Sequence, residues 1–296
     1  MYEAPTAPLS IGQVLDDGFR LFRAAFKHVW HIALIGAITA FPIVFVSDQL
    51  DPINPSIDQF ATFFVVLIVV GFVSLYFYAV LFARIGAESR GEAMTTGQAY
   101  VKGLRRAPAF IVVTIAYFLM IGFVMFLFMF LIAMIIGVIA GVSGGGAGDA
   151  VPIAAAIGTF VGLALSLVPI AYVSTIFAFC FGASVVDSKG PFSSLGYSAR
   201  IVQGHFWRTA AIILVIFFIY SVVYMILGVL AAVVAFDQLA GTGTPGPLSH
   251  LVNYVLGPIF QLVLIPLVIA MVISAYNDLR LRHEGSDLAA RIAAAT

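Results

Sequence analysis

The uncharged stretch FIVVTIAYFLMIGFVMFLFMFLIAMIIGVIAGV (Phe110–Val142) determines the structural class of this protein. It contains no Asp, Glu, Lys or Arg, and as a helix rising 1.5 Å per residue it is longer than the ~30 Å hydrocarbon core of a bilayer. In the whole chain 62% of residues are hydrophobic and 9% are charged, whereas a soluble domain has about 25% charged residues. We therefore predict an all-α polytopic membrane protein that forms a single membrane domain over residues 1–296.

Six uncharged stretches predict six transmembrane helices. They cover about residues 30–47, 60–83, 110–142, 151–186, 209–236 and 251–276. The first is barely long enough to span, while the third and fourth must tilt, kink or protrude. Near the third and fourth spans lie Gly137 with Gly141 and Gly158 with Gly162, a small-residue spacing that predicts close packing of the two helices, glycine facing glycine.

The distribution of charge predicts the topology. All 14 Lys and Arg residues lie in four segments, 20–27, 84–106, 189–208 and 280–291. The loops between these segments carry only acids, at Asp48, Asp51, Asp58, Asp149 and Asp237. Because Lys and Arg near span ends are retained in the cytoplasm, we expect a multi-pass protein of the bacterial cytoplasmic (inner) membrane with both termini in the cytoplasm.

A repeated motif predicts three related units. SIGQVLDDGFR (Ser10–Arg20) and TTGQAYVKGLR (Thr95–Arg105) match at a fixed offset of 85 residues, and a weaker third copy is SLGYSARIVQGHFWR (Ser194–Arg208). The first two copies begin with the Ser/Thr-x-x-Gln pattern of a capping box. We predict three repeats of an amphipathic interfacial helix followed by two spans, at about 8–86, 92–186 and 191–276, and then a cytoplasmic tail at 277–296.

Two short motifs separate these units. ESRG (Glu88–Gly91) ends the first unit, and the chemically similar DSKG (Asp187–Gly190) ends the second. We predict that both are hinges, in which glycine permits the turn and opposite charges lie in the headgroup layer.

Three stretches carry a family resemblance: PLSIGQVLDDGFRLFR (Pro8–Arg23), PFSSLGYSARIVQGHFWRTAAI (Pro191–Ile212) and YNDLRLRHEGSDL (Tyr276–Leu288). They resemble the glycerophosphodiester phosphodiesterase membrane domain family and related six-span bacterial membrane proteins of unknown function. The resemblance implies a stand-alone polytopic protein linked to lipid metabolism or envelope upkeep. No segment outside the spans is long enough for the roughly 250-residue barrel of a fused catalytic domain.

No residue pattern indicates an enzyme, a cofactor or a metal site. GAGD (Gly146–Asp149) has the Gly-x-Gly-Asp pattern of intramembrane aspartyl proteases but lacks a second carboxylate in a neighbouring span. His28 and His31 are one helical turn apart, yet no further metal ligands are evident. Cys180 is the only cysteine and lies within an apolar run, where it is expected to be a small buried hydrophobe.

The expected ligands are membrane lipids. Candidate contacts to lipid headgroups are the basic residues at corresponding helix starts and after the last span, Arg20, Arg105, Arg200, Arg280 and Arg282. Asn253 and Gln261, eight residues apart in the sixth span, are either interhelical hydrogen-bonding groups or a polar groove. We expect a non-enzymatic protein that acts in lipid or envelope homeostasis through lipid-binding or structural contacts. The alternative is a passive or partner-driven transporter of a lipid or small solute. A homo-oligomer or a membrane-protein partner is a further candidate, and nothing suggests nucleic-acid binding.

Overall fold

The computed structural model describes residues 2–47, 49–50, 56–142, 150–240 and 251–295, and every regular element in these ranges is helical. The helices are α1 (Ile11–Ile38), α2 (Phe41–Ser47), α3 (Ile57–Ser89), α4 (Thr96–Val142), α5 (Ala150–Phe177), α6 (Cys180–Val185), α7 (Pro191–Val202), α8 (Phe206–Ala240), a π-helical turn (Val252–Leu256) and α9 (Gly257–Ala295).

Six helical segments within the described ranges are long and apolar enough to cross a membrane, which confirms the predicted class. They are Ile11–Ser47, Ile57–Ser89, Thr96–Val138, Gly158–Val185, Phe206–Leu230 and Tyr254–His283. Many large apolar side chains point away from the protein, including Phe118 and Phe126, which are 63% and 64% exposed. An apolar surface of this extent is typical of a protein that faces lipid.

The first two predicted interfacial helices are not separate elements. Residues 11–20 and the beginning of the first span are continuous in α1, and residues 96–105 and the third span are continuous in the 47-residue α4. No glycine C-cap interrupts either helix. Only the third copy has a break, where Gly204 adopts a left-handed backbone (φ 84°) between α7 and α8. The division of the chain into repeats of an interfacial helix and two spans therefore stays a prediction.

The first and fourth spans are interrupted. Between α1 and α2 the chain breaks at Thr39–Ala40, because Pro42 has no backbone N–H and its ring clashes with the carbonyl four residues earlier. Between α5 and α6, the Ser198 hydroxyl donates to the Ile176 carbonyl (2.7 Å) and accepts from the Phe179 N–H (3.2 Å). Ser198 thereby satisfies backbone groups that the break exposes.

Corresponding residues of the first two motif copies have corresponding environments. Both capping boxes form, at Ser10 and at Thr95. A Cβ added at Gly18 would lie 2.9 Å from the Met271 Cα on α9, and one added at Gly103 would lie 3.0 Å from the Val80 Cα on α3. Each glycine therefore allows its helix to approach a neighbouring backbone closely.

The two predicted hinges differ in detail. Gly91 takes the expected left-handed backbone (φ 67°), but in the second hinge Ser188 (φ 58°), and not Gly190, makes the turn. Gly190 has extended backbone and caps α7.

The predicted glycine pairing is wrong for Gly137, since a Cβ there would meet nothing within 4 Å. Gly158 and Gly162 of α5 instead lie under Ile136 and Ile132 of α4. The surroundings of Gly141 are not among those that the structure describes.

The cytoplasmic location of the tail at 277–296 stays a prediction, and the structure describes residues 277–295 as helical. They continue α9, and Asp278 and Leu279 are buried.

Candidate functional site

One end of the helix bundle collects most of the charged residues that the structure describes. Hydrogen bonds and ion pairs join the start of α1, the end of α3, the start of α4, the segment 186–190, the start of α8 and the C-terminal half of α9. We call this the basic end. Its cations are Arg84, Arg90, Lys102, Arg105, Arg106, Lys189, Arg208, Arg280 and Arg282.

The Asp278 carboxylate on α9 connects α9 and the segment before α1 to α8. It accepts hydrogen bonds from the Leu9 N–H (2.7 Å), the Arg208 guanidinium (2.9 Å) and the Arg282 guanidinium (3.1 Å). Both guanidinium groups also donate to the Leu9 carbonyl, each at 2.6 Å. The Asp278 side chain is 1% exposed. A buried carboxylate with this number of charged donors is fully compensated.

Asp17 binds α9 and the N-terminal segment to α1. It accepts a hydrogen bond from the Tyr2 hydroxyl (2.9 Å) and lies 2.8 Å from the Ser274 hydroxyl. Burial raises the pKa of the Tyr2 phenol, and the negative charge of Asp17 raises that pKa further. Tyr2 therefore stays protonated and remains a hydrogen-bond donor.

Asp187 connects the two hinges. It accepts hydrogen bonds from Arg90 in the first hinge, from the Tyr276 hydroxyl and from Arg280. An open cleft of about 510 Å³ lies beside it, also lined by Lys189, whose ammonium stands 3.9 Å from the centre of the Tyr197 ring. Asp187 already compensates much of the positive charge here, so this cleft is an unfavourable place for an anion.

A second cleft carries more positive than negative charge, since Glu92 and Asp187, which interact electrostatically with Lys102, lie outside its lining. It has a volume of about 740 Å³, and we call it the basic cleft; it is lined by Thr95, Gly97, Gln98, Val101, Lys102, Arg105, Arg106 and Ser188. Arg106 donates to the Ser188 carbonyl at 2.7 Å. No carboxylate lines it, and in the described part of the chain neither Lys102 nor Arg105 makes a hydrogen bond or salt bridge.

An apolar cavity of about 440 Å³ lies between α3, α4, the α5–α6 region, α8 and α9. We call it the central cavity. Aromatic and aliphatic side chains form most of its wall, and the hydroxyl groups that line it belong to Tyr78, Thr114, Tyr117, Ser174 and Tyr220. Phe118 of α4 and Phe217 of α8 line it and are each 63% exposed. Since α4 and α8 barely touch in the described ranges, the cavity is open to the side of the bundle between them.

The basic cleft and the central cavity share helix α4. Lys102, Arg106, Phe110, Thr114 and Phe118 follow one another at four-residue intervals, so successive members are neighbours on the helix surface while the row winds around the helix. The first two line the cleft and the last three line the cavity. Eight residues separate Arg106 from Thr114, which corresponds to about 12 Å along the helix axis.

The structure separates the five arginines that the sequence marked as headgroup contacts. Arg105 lines the basic cleft, while Arg280 and Arg282 pair with Asp187 and Asp278. Arg20 is exposed, and Arg200 is exposed with its Nε 3.4 Å from the Gly196 carbonyl of its own helix. The five arginines therefore do not form one site.

The predicted polar groove is described only in part. Gln261 lines a small cavity of about 150 Å³ whose other walls include Ala33, Gly36 and Phe77. The side chain of Asn253 lies outside the described residues. Whether the two polar groups face each other therefore stays a prediction.

The other chemical candidates have ordinary surroundings where the structure describes them. His28 Nδ1 lies 3.7 Å from a Glu88 oxygen, and Cys180 is buried. In the described ranges no three His, Cys, Asp or Glu residues are arranged to hold a metal ion. The GAGD motif, Asp48 and Asp51 lie outside the described residues.

Sequence reasoning missed the residues that organise this end. Asp17, Asp187 and Asp278 enter the sequence predictions only as parts of motifs, yet Asp17 and Asp278 are buried, and Asp187 and Asp278 together bind four arginines. A usable signal was present for two of them: Asp187 and Asp278 each follow an apolar run, where an unpaired carboxylate would be costly.

One protein family matches most of the chain. The model described as a domain of unknown function (DUF7847) matches residues 91–279. No curated protein and no solved structure matches the chain. The comparisons thus give no link to the glycerophosphodiester phosphodiesterase membrane domain family that the sequence resembles.

Proposed function

The chain belongs to the family described as a domain of unknown function (DUF7847), and we propose that it is a non-enzymatic integral membrane protein that binds a membrane lipid. The observation that supports this proposal best is the apolar central cavity, which is open sideways between α4 and α8. In this proposal one acyl chain enters through that opening.

The size and chemistry of the cavity suit an acyl chain. Its volume of about 440 Å³ lies within the ~300–1,000 Å³ of typical ligand pockets. Apolar side chains line most of the wall, and the hydroxyl groups of Tyr117 and Ser174 form a hydrogen bond with each other at 3.1 Å. A polar solute would find few partners there, whereas an apolar chain loses nothing by leaving the surrounding lipid.

The proposal includes an orientation. We place the basic end at the cytoplasmic face of a bacterial cytoplasmic membrane, because that face retains Lys and Arg and carries anionic lipids. The protein then contributes to lipid or envelope homeostasis by holding lipid at this face.

Passive or partner-driven transport of a small solute has weaker support. The cavity beside Gln261 measures only about 150 Å³, and small or apolar side chains form most of its wall. Among the described residues, none that lines the larger central cavity is charged. A route for a polar solute would need more groups to replace its hydration.

Native mass spectrometry of the purified protein in mild detergent tests the proposal. The wild type is expected to retain a bound lipid. Val268→Phe places a ring in the central cavity, which Val268 lines, and should lose that lipid. The matched control is Val263→Phe on the same helix, where Val263 is 40% exposed and does not line the cavity.

Two outcomes would contradict the proposal: a wild-type protein free of lipid, or equal lipid retention by the two variants. Thermal unfolding in the same detergent separates loss of lipid from loss of fold, since the lipid comparison is made on variants that unfold at a similar temperature.

A further inference from the structure

We infer that the basic cleft binds the phosphate of a glycerophospholipid whose headgroup carries a net negative charge. This inference rests on the proposed function, because it assigns the headgroup of the lipid whose acyl chain enters the central cavity. The residues that carry it are Lys102, Arg105 and Arg106, which are three and four residues apart on α4 and line one cleft.

The charge of the cleft favours an anion. At Asp278 and Asp187 the neighbouring arginines already have a carboxylate partner. Lys102 and Arg105, by contrast, make no hydrogen bond or salt bridge with any described residue, and no acid lines the cleft. A phosphate oxygen supplies the acceptors that an ammonium and a guanidinium require.

One of the three cations is positioned in advance. The Arg106 guanidinium is held at 2.7 Å by the Ser188 carbonyl, and Ser188 presents that carbonyl from a left-handed backbone (φ 58°) that is uncommon for a non-glycine residue. The Lys189 N–H anchors the same turn to the Ala183 carbonyl at 3.1 Å. Fixing a guanidinium before the ligand arrives lowers the entropy cost of binding.

The position of the cleft suits a headgroup attached to a chain in the central cavity. About 12 Å along α4 separates Arg106 from Thr114, and the glycerol backbone of a phospholipid lies between its phosphate and its acyl chains. The cleft and the cavity share a second segment of the chain, because Ser188 of the cleft follows Phe181 of the cavity by seven residues.

The same geometry selects against zwitterionic headgroups. A phosphatidylethanolamine headgroup brings an ammonium that needs an acceptor, and the cleft lining offers three cations and no carboxylate. The net negative charge of phosphatidylglycerol lets the phosphate be bound without that penalty.

The test measures headgroup preference on the full-length protein. Detergent-purified protein is exchanged into an equimolar mixture of phosphatidylglycerol and phosphatidylethanolamine, and native mass spectrometry gives the ratio of the two bound lipids. The cleft variant carries the substitutions K102Q, R105Q and R106Q. The matched control removes three exposed cations of α1 that do not line the cleft, through R20Q, R23Q and K27Q.

We expect the wild type to prefer phosphatidylglycerol and the cleft variant to lose that preference at least tenfold. A cation near the surface contributes about a fivefold factor to anionic lipid binding, so losing three exceeds tenfold even though Arg106 is partly engaged by Ser188. The α1 control should keep its preference within about twofold, because its lost charges do not converge on one site.

Each other result overturns the inference. Equal loss in both triple variants would mean general surface attraction, and no loss in the cleft variant would exclude the cleft. Displacement of phosphatidylglycerol by millimolar inorganic phosphate would point to a site for free phosphate. Arg105 is exposed and makes no hydrogen bond or salt bridge with any described residue, so Arg105→Gln should leave the fold unaffected. This single variant must also lower the ratio of bound phosphatidylglycerol to phosphatidylethanolamine.

The outcomes also separate this inference from the proposed function. If the cleft is misassigned, the wild type still carries lipid and Val268→Phe still loses it, but the headgroup ratio does not change. If lipid binding itself is wrong, the wild type carries no lipid of either kind.

Discussion

Replacing Asp278 by asparagine should destabilise the protein more than any other single change of charge at the basic end. The Asp278 carboxylate is 1% exposed, and it receives hydrogen bonds from Arg208 at 2.9 Å and from Arg282 at 3.1 Å. Asparagine keeps one oxygen for the Leu9 N–H. It replaces the other oxygen by a donor that faces two guanidinium groups.

The expected loss is about 3 kcal/mol in the free energy of unfolding. Two hydrogen bonds to charged groups are worth roughly 1.5–3 kcal/mol each, and breaking a buried ion pair costs about 3–5 kcal/mol. We take the low end because Arg208 and Arg282 are 20% and 24% exposed and recover some hydration when the carboxylate charge is lost.

Denaturation in detergent micelles, followed by circular dichroism, measures the effect. The control is Asp16→Asn, which removes an equal charge from an exposed position on α1 and should change stability by less than about 0.5 kcal/mol. A double variant that adds Arg208→Gln should lose less stability than the sum of the two single variants, because Asp278 and Arg208 are hydrogen-bonded to each other. A loss below about 1 kcal/mol for Asp278→Asn, or strict additivity with Arg208→Gln, would refute this account of the Asp278 interactions.

Three further results are expected. Gly103→Ala should lower the midpoint of thermal unfolding in detergent, because the added Cβ would lie 2.4 Å from Val80 Cγ2. The control Gly97→Ala should not lower it, because a Cβ there meets no other atom within 4 Å. Equal midpoints for the two variants would contradict the close packing at Gly103. Asp17→Asn should cost about 1–3 kcal/mol by weakening bonds to two buried hydroxyl groups, and an unchanged unfolding curve would show that the carboxylate charge is not used. A reporter active only outside the cytoplasm should be inactive when fused after Gly190 and active in the loop between α4 and α5; activity at Gly190 would reverse the proposed orientation.

The parts of the structure that sequence reasoning predicted depend on short-range signals. Span length depends on consecutive apolar residues, and the capping boxes at Ser10 and Thr95 depend on a residue three positions later. Both patterns are complete within one turn or one run of helix, so no knowledge of tertiary packing is needed to recognise them.

The candidate site depends on long-range packing, which one sequence does not determine. Arg105, Arg280 and Arg282 look alike as cations near span ends, yet the first lines a cleft without an acid and the other two pair with carboxylates. The difference arises from which helices become neighbours. The turn at Ser188 is missed for a related reason: propensity alone favours glycine there, whereas hydrogen bonds from Arg106 to the Ser188 carbonyl and from the Lys189 N–H to Ala183 stabilise the turn with serine.

The bond between Ser274 and Asp17 joins residues 257 positions apart, which has a consequence for biogenesis. At about 5–20 residues per second, the ribosome needs on the order of 13–51 s to deliver Ser274 after Asp17 has emerged. Throughout that interval the nascent α1 lacks the helix against which Gly18 packs. The packing of the first helix is thus completed only by the last helix to be synthesised, when translation is almost finished.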